Sequence, residues 1–121
     1  LIQEIKNFLE GFLFSILPKD AGNHRNQFVC CSPNDCQTIL WTSGKAERYG
    51  LGPYIVADSK FFILNDDGTL TIAKANTKRF DFLDKARIIE GQDAWGPIAI
   101  ADGRLLMRDS KKMVCVNIKA N

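Results

Sequence analysis

The sequence predicts an all-β chain built from small antiparallel sheets that repeat along its length. Three observations carry that reading. The stretches "GPYIVADSKFFILNDDGTLTIAKA" from Gly52 and "GPIAIADGRLLMRDSKKMVCVNIKA" from Gly96 share one frame, with Pro53 and Pro97 44 residues apart. Short runs rich in aromatic and β-branched residues are separated by Asp, Asn, Ser and Gly turn signals. Runs such as "FFIL" and "LLM" are continuously apolar, which suits strands covered on both faces.

At the N-terminus "NFLEGFLFSIL" is expected to form a hairpin turning at Glu10-Gly11, with Gly11 the counterpart of Ser59 and Gly103. Leu1, Ile5, Phe8, Leu9, Phe12, Leu13 and Ile16 also fit helical spacing, and Gly11 weakens such a helix by only ~1 kcal/mol. The repeat register favours the hairpin. "QFVCC" and "TILWTS" follow as third and fourth strands. In the next unit a two-residue turn at Asp58-Ser59 joins residues 54–57 to 60–64. Asp66-Asp67-Gly68 then leads into residues 69–75, and Asn76-Thr77-Lys78 into residues 79–89, where Phe80 and Phe82 alternate with charged neighbours. Residues 98–101 and 104–107 repeat the hairpin around Asp102-Gly103. The frame sets Phe61 on Leu105, Phe62 on Leu106 and Ile63 on Met107. At the same offset it sets Leu70 on Val114 and Ile72 on Val116.

Four short strands in each 44-residue period is the size of a propeller blade. The expected fold is therefore about two to three four-stranded antiparallel blades. Residues 1–43 form most of one, 52–90 a complete one, and 97–119 three strands of another.

Composition narrows the function classes. With 121 residues, 45% hydrophobic and 25% charged, the chain has an ordinary globular balance. Its net charge of +2 is mixed along the sequence, so no basic stripe calls for nucleic acid. The most apolar stretch, "LIQEIKNFLEGFLFSIL", contains Gln3, Glu4, Lys6, Asn7 and Glu10, which excludes a membrane span there. No secretory signal is visible, but a chain that starts at Leu1 excludes nothing on that ground. Cys30, Cys31, Cys36 and Cys115 form no CxxC pair, and their spacing from His24, the only histidine, matches no common zinc pattern. Cys30 and Cys115 are expected to behave as small apolar strand residues.

"QTILWTSGKAERYGLGPYIVADSKFFILNDDGTLTI" and "DAWGPIAIADGRLLMRDSKKMVCVNI" resemble the PQQ-like (quinoprotein-type) β-propeller repeat family. Its repeats place a strand ending in Trp before a Pro-led inner strand, an Ala-Asp-Gly turn and an apolar second strand; Trp41 and Trp95 stand at plausible Trp positions. The likeness covers residues 28–119 well and 8–27 loosely. It implies a larger seven- or eight-bladed propeller, completed by further blades or by self-association, in a periplasmic or extracellular compartment. It also implies one of two functions. Cofactor-free members act as binding or assembly scaffolds, whereas quinoprotein dehydrogenases bind pyrroloquinoline quinone and calcium. Some of the latter carry an adjacent-cysteine disulfide. Here Cys30-Cys31 lies in an expected strand, where successive side chains diverge, and most of the cofactor's ligand set is missing.

Blades of this kind gather their longer loops at one end, where binding residues usually sit. The candidates there are Lys19, Asp20, His24, Arg25, Arg48, Asp93, Trp95, Arg108 and Asp109. Arg48 and Asp93 have a plainer role open to them, hydrogen bonding to neighbouring loops, and Trp41 and Trp95 one in packing between blades. No nucleophile elbow, nucleotide-binding glycine loop or HExxH motif appears. The resulting expectation is a non-catalytic scaffold, without cofactor or metal, that binds a protein or carbohydrate partner. The alternative is a portion of a PQQ-dependent dehydrogenase or another propeller enzyme. A piece this small leaves strand edges and apolar faces uncovered, so it is expected to self-associate or aggregate.

Overall fold

The strands form where β-branched and aromatic residues run between turn formers, and every one pairs with its neighbour in sequence. The computed structural model describes residues 13–17, 21–35, 38–50 and 53–119. The first sheet holds β1 (Leu13–Ile16), β2 (Phe28–Cys31) and β3 (Ile39–Thr42) in that order. The second holds β4 (Tyr54–Ala57), β5 (Lys60–Leu64), β6 (Thr69–Lys74) and β7 (Asp81–Arg87). The third holds β8 (Ala99–Ala101), β9 (Arg104–Arg108) and β10 (Met113–Asn117). All pairings are antiparallel, and no α-helix occurs among the described residues. Residues 13–16, which also fitted helical spacing, are strand; the turn expected at Glu10-Gly11 lies outside the described residues.

Alternation along β5 explains how the sheets stack. Phe61 and Ile63 point to one face and Phe62 and Leu64 to the other, and all four are buried. Phe61 and Ile63 pack with Phe28, Cys30 and Trp41 of the first sheet. Phe62 and Leu64 pack with Leu105, Met107 and Ile98 of the third sheet and its approach. The second sheet is therefore sandwiched, its two faces closing two separate cores. The first core is aromatic. Phe28 meets Phe61 at 4.9 Å between ring centroids and Tyr54 at 5.0 Å, both edge-to-face, an arrangement that adds to simple area burial. Trp41 is buried there and donates its indole N–H to the Asn76 carbonyl at 3.0 Å. For Trp41, packing between sheets is the role observed.

Of the turns opposite the long loops, the two hairpin turns are as short as expected, whereas the connection expected at Asn76-Thr77-Lys78 takes up residues 75–80. Asp58 and Ser59 have φ of 51° and 59°, and Asp102 and Gly103 have 52° and 71°, the doubly left-handed geometry of a two-residue hairpin.

Two expectations need correction. The repeat frame does not hold through the third strands. Leu64 pairs with Leu70 in the second sheet, whereas its counterpart Arg108 pairs with Met113 in the third. Leu70 therefore corresponds to Met113 and Ile72 to Cys115, not to Val114 and Val116. The turn after β9 is one residue shorter, closing with Asp109 N–H on the Lys112 carbonyl where Asn65 closes on Thr69. A one-residue slip exchanges the faces of a strand. Val114 and Val116 thus join the core with the second sheet, while Cys115 is exposed rather than packed as a small hydrophobe. The second correction concerns "LLM". Leu105 and Met107 are buried, but Leu106 is 37% exposed because no described sheet covers that face.

Candidate functional site: a belt of loops at one end of the sheets

Five connections meet at the end opposite the two-residue turns, and main-chain chemistry ties each to the next. Arg48 links the first two. Its guanidinium donates to the carbonyls of Arg25, Asn23 (3.3 Å) and Lys45 (3.2 Å), and its main chain bridges Gln27. Asn65, at the end of β5, links the second to the third. Its side-chain oxygen accepts the Gly50 N–H at 2.9 Å, and its amide donates to the Arg48 carbonyl at 3.3 Å. The third is joined to the fourth by two glycines. Gly68 and Gly91 both have φ of +85°, and a side chain on either would run into the backbone of the other's loop. The Gly68 carbonyl accepts the Ile88 N–H at 3.0 Å.

Asp109 completes the belt. Its carboxylate accepts main-chain N–H groups from Lys111 (2.8 Å), Lys112 (2.7 Å) and Gly91 (3.2 Å), and only 3% of the residue is exposed. Those hydrogen bonds favour the ionised form and hold its carboxyl below the usual aspartate range. Asp109 and Asn65 occupy the same position in their repeats and do the same work, reaching back to the preceding linker. The sequence missed Asn65; the 44-residue frame that pairs it with Asp109 was the available signal.

The seven described candidates thus divide by what surrounds them. Arg48 and Asp109 are spent on holding loops together, the plainer role open to Arg48. Gly22–His24 forms a short 3-10 turn, and His24 and Arg25 beside it are exposed. Asp93 is exposed, with φ of +55°; no loop-to-loop hydrogen bond like those of Arg48 is seen for its side chain. Trp95 is 52% exposed and does not pack between the described sheets, the plainer role open to it; the neighbouring Ala94 fills that core. The stem of Arg108 lies across Gly96, next in sequence to Trp95. Lys19 and Asp20 lie outside the described residues.

Chemically the belt offers exposed cations, the exposed carboxylates of Asp67, Glu90 and Asp93, and one open indole on a braced frame. The perturbed groups lie elsewhere or are already engaged. Burial, with the neighbouring Cys31, pushes the Cys30 thiol up to about 11. Burial likewise pushes the Tyr49 phenol up to about 12 and raises that of Tyr54, which donates to the Phe14 carbonyl at 2.7 Å. Cys30 and Cys31 point to opposite faces of β2, and only Cys30 joins the core with the second sheet. Among the described residues no three of His, Cys, Asp and Glu gather to hold a metal ion, and no helix is long and apolar enough to cross a membrane. Compared with models of known protein families and with the curated proteins, the chain matches none.

Proposed function

We propose that the three sheets are blades of a β-propeller of the PQQ-like repeat type, and that the chain acts as a rigid, non-catalytic scaffold. A protein or carbohydrate partner is bound at the loop-rich end. The observation that carries this reading is the asymmetry of the two ends. One carries the two-residue turns at Asp58-Ser59 and Asp102-Gly103, while the other has five loops braced into a continuous belt by Arg48, Asn65, Gly68, Gly91 and Asp109. Bracing lowers the entropy a surface loses on binding, so such a belt suits recognition without rearrangement. In this reading Trp95 and Arg108 form the contact centre, because indole and guanidinium groups dominate binding energy at interfaces and stack on sugar faces. His24, Arg25 and Asp93 flank them. The stacked sheets, each hiding its neighbour's apolar face, support the blade assignment.

The test uses a Trp41→Phe chain, in which Trp95 is the remaining tryptophan. Its emission is followed during titration with an oligosaccharide panel and with candidate protein partners. A saturable change that disappears in Arg108→Ala is the expected result. An emission that ignores every ligand would contradict the scaffold reading, the more so if reconstitution with PQQ and calcium gave a quinone absorbance band and dye reduction.

A further inference from the structure

β7 is the longest strand described, and it adds no fully buried side chain to either core. Asp81 is half-buried and the six residues after it are exposed, whereas four of the five residues of β5 are buried. The side that decides the matter is the one turned to the first sheet, because the neighbour there is present. Directly paired residues share a face, so Phe82, Lys85 and Arg87 lie with Ala73, Thr71 and Thr69 on that side. Ala73 and Thr71 are buried, yet Phe82 is 42% exposed, and Lys85 and Arg87 are exposed too. The ladder is also interrupted. Ala73 pairs with Phe82 and Ile72 with Asp84, which leaves Leu83 as the extra residue of a bulge.

Firm attachments lie just outside the strand. Before it, Phe80 packs on Trp41 at 5.8 Å between ring centroids, and the Asn76 carbonyl accepts the Trp41 indole N–H. After it, the Ile88 N–H donates to the Gly68 carbonyl at 3.0 Å, and Ile89 is buried in the core with the third sheet. Between these anchors the described ion pair that ties β7 to the first sheet is Lys85 with Glu47, 3.1 Å apart. Glu47 is itself fixed to the first sheet. Its main-chain carbonyl accepts the Ser43 hydroxyl, which in turn accepts the Phe28 N–H at 3.0 Å. We propose that β7 is a strap, fastened at both ends, that lifts off β6 as a unit while the rest of the molecule stays folded, and that the Glu47–Lys85 pair is its clasp. Segments with few buried apolar contacts open locally, at free energies far below that of global unfolding. Lifting β7 bares the outer edge of β6 and withdraws no fully buried side chain. Salt acts on the clasp directly, since a partly exposed ion pair is screened. This inference concerns motion within the second sheet and does not depend on the scaffold reading.

The test is amide exchange in the full chain, followed residue by residue by NMR and corrected for intrinsic rates. The Asn65 N–H donates to the Thr69 carbonyl and the Ala75 N–H to the Ser59 carbonyl. By alternation Thr71 and Ala73 bond to β5, and Leu70 and Ile72 to β7. Leu70, Ile72, Asp84 and Ala86 are expected to exchange through one shared opening, at least about a hundredfold faster than Thr71 and Ala73. Glu47→Gln should speed those four by about two- to fivefold more and leave Thr71 and Ala73 unchanged. Raising salt from about 0.05 M to about 0.5 M should do the same in the parent chain and nothing in Glu47→Gln. Equal protection on the two edges of β6 would overturn the strap, because β7 would then leave only when the whole fold unfolds. An effect of Glu47→Gln that reaches Thr71 and Ala73, or one that is absent at every amide, would overturn the clasp.

Discussion

The second and third sheets open with the same hairpin and share its turn geometry, yet they differ in what each face meets. Phe62 is 3% exposed and its counterpart Leu106 is 37% exposed. Leu70 is buried, while its counterpart Met113 is 68% exposed. The backbone patterns are alike, so the difference comes from the neighbours: among the described residues the second sheet has one on each side and the third has one only. The side chains have followed. Ile55, Phe62, Leu64 and Ile72 are replaced on the open face by Ala99, Leu106, Arg108 and Cys115, which are smaller or carry a charged head. A repeat is thus a backbone template whose side chains are set by its place in the stack.

The strongest way to break that comparison is to truncate the same position twice. Phe62→Ala removes a buried ring from the core between sheets and should cost about 3–5 kcal/mol in denaturant unfolding, while Leu106→Ala should cost under about 1 kcal/mol. Equal losses would mean that the third sheet's outer face is covered in solution. Next come the glycines of the belt. Gly68→Ala should destabilise by about 1–3 kcal/mol, because its left-handed backbone and the adjacent Ile89 carbonyl both oppose a side chain. The shorter turn after β9 contains no glycine, so Lys111→Ala should leave unfolding within about 0.5 kcal/mol of the parent.

Acid sensitivity distinguishes Asp109 from its counterpart Asn65. The folded state lowers the Asp109 pKa, so its contribution is complete above the unfolded value of about 3.9 and fades as pH falls through the folded one. Thermal unfolding scanned from pH 6 down to pH 2 should therefore show a loss at the acid end that Asp109→Asn reduces. Asn65→Asp should introduce a loss of the same sign. The smallest effect belongs to the hairpin turns. Ser59→Gly relieves a left-handed residue that the third sheet already fills with Gly103, and it should stabilise by less than about 1 kcal/mol.

Strands and turns were readable because aromatic and β-branched runs between Asp, Asn and Gly leave little choice of local structure. The bounds of β4 and β5 agree with the sequence reading residue for residue. The third-strand alignment failed because equal spacing of Pro53 and Pro97 conceals a turn shortened by one residue, and pairing register is settled by that turn. Trp41 and Trp95 read alike as Trp positions of the repeat, but Trp41 sits within a strand and Trp95 in a linker. At the belt, the residue types were visible but their division of labour was not. An arginine that reaches carbonyls of a different loop and one that bonds only the carbonyl of the next residue read alike in one dimension, and only the loop geometry separates Arg48 from Arg108.

Every described strand pairs with one beside it in sequence, so no described ladder waits for a distant segment. Pairing between sequence neighbours allows each sheet to close soon after its own residues leave the ribosome. The newest sheet always has a finished surface to settle on, and its own outer face stays bare until the next one arrives. Synthesis would lay the molecule down in order, like courses of brick.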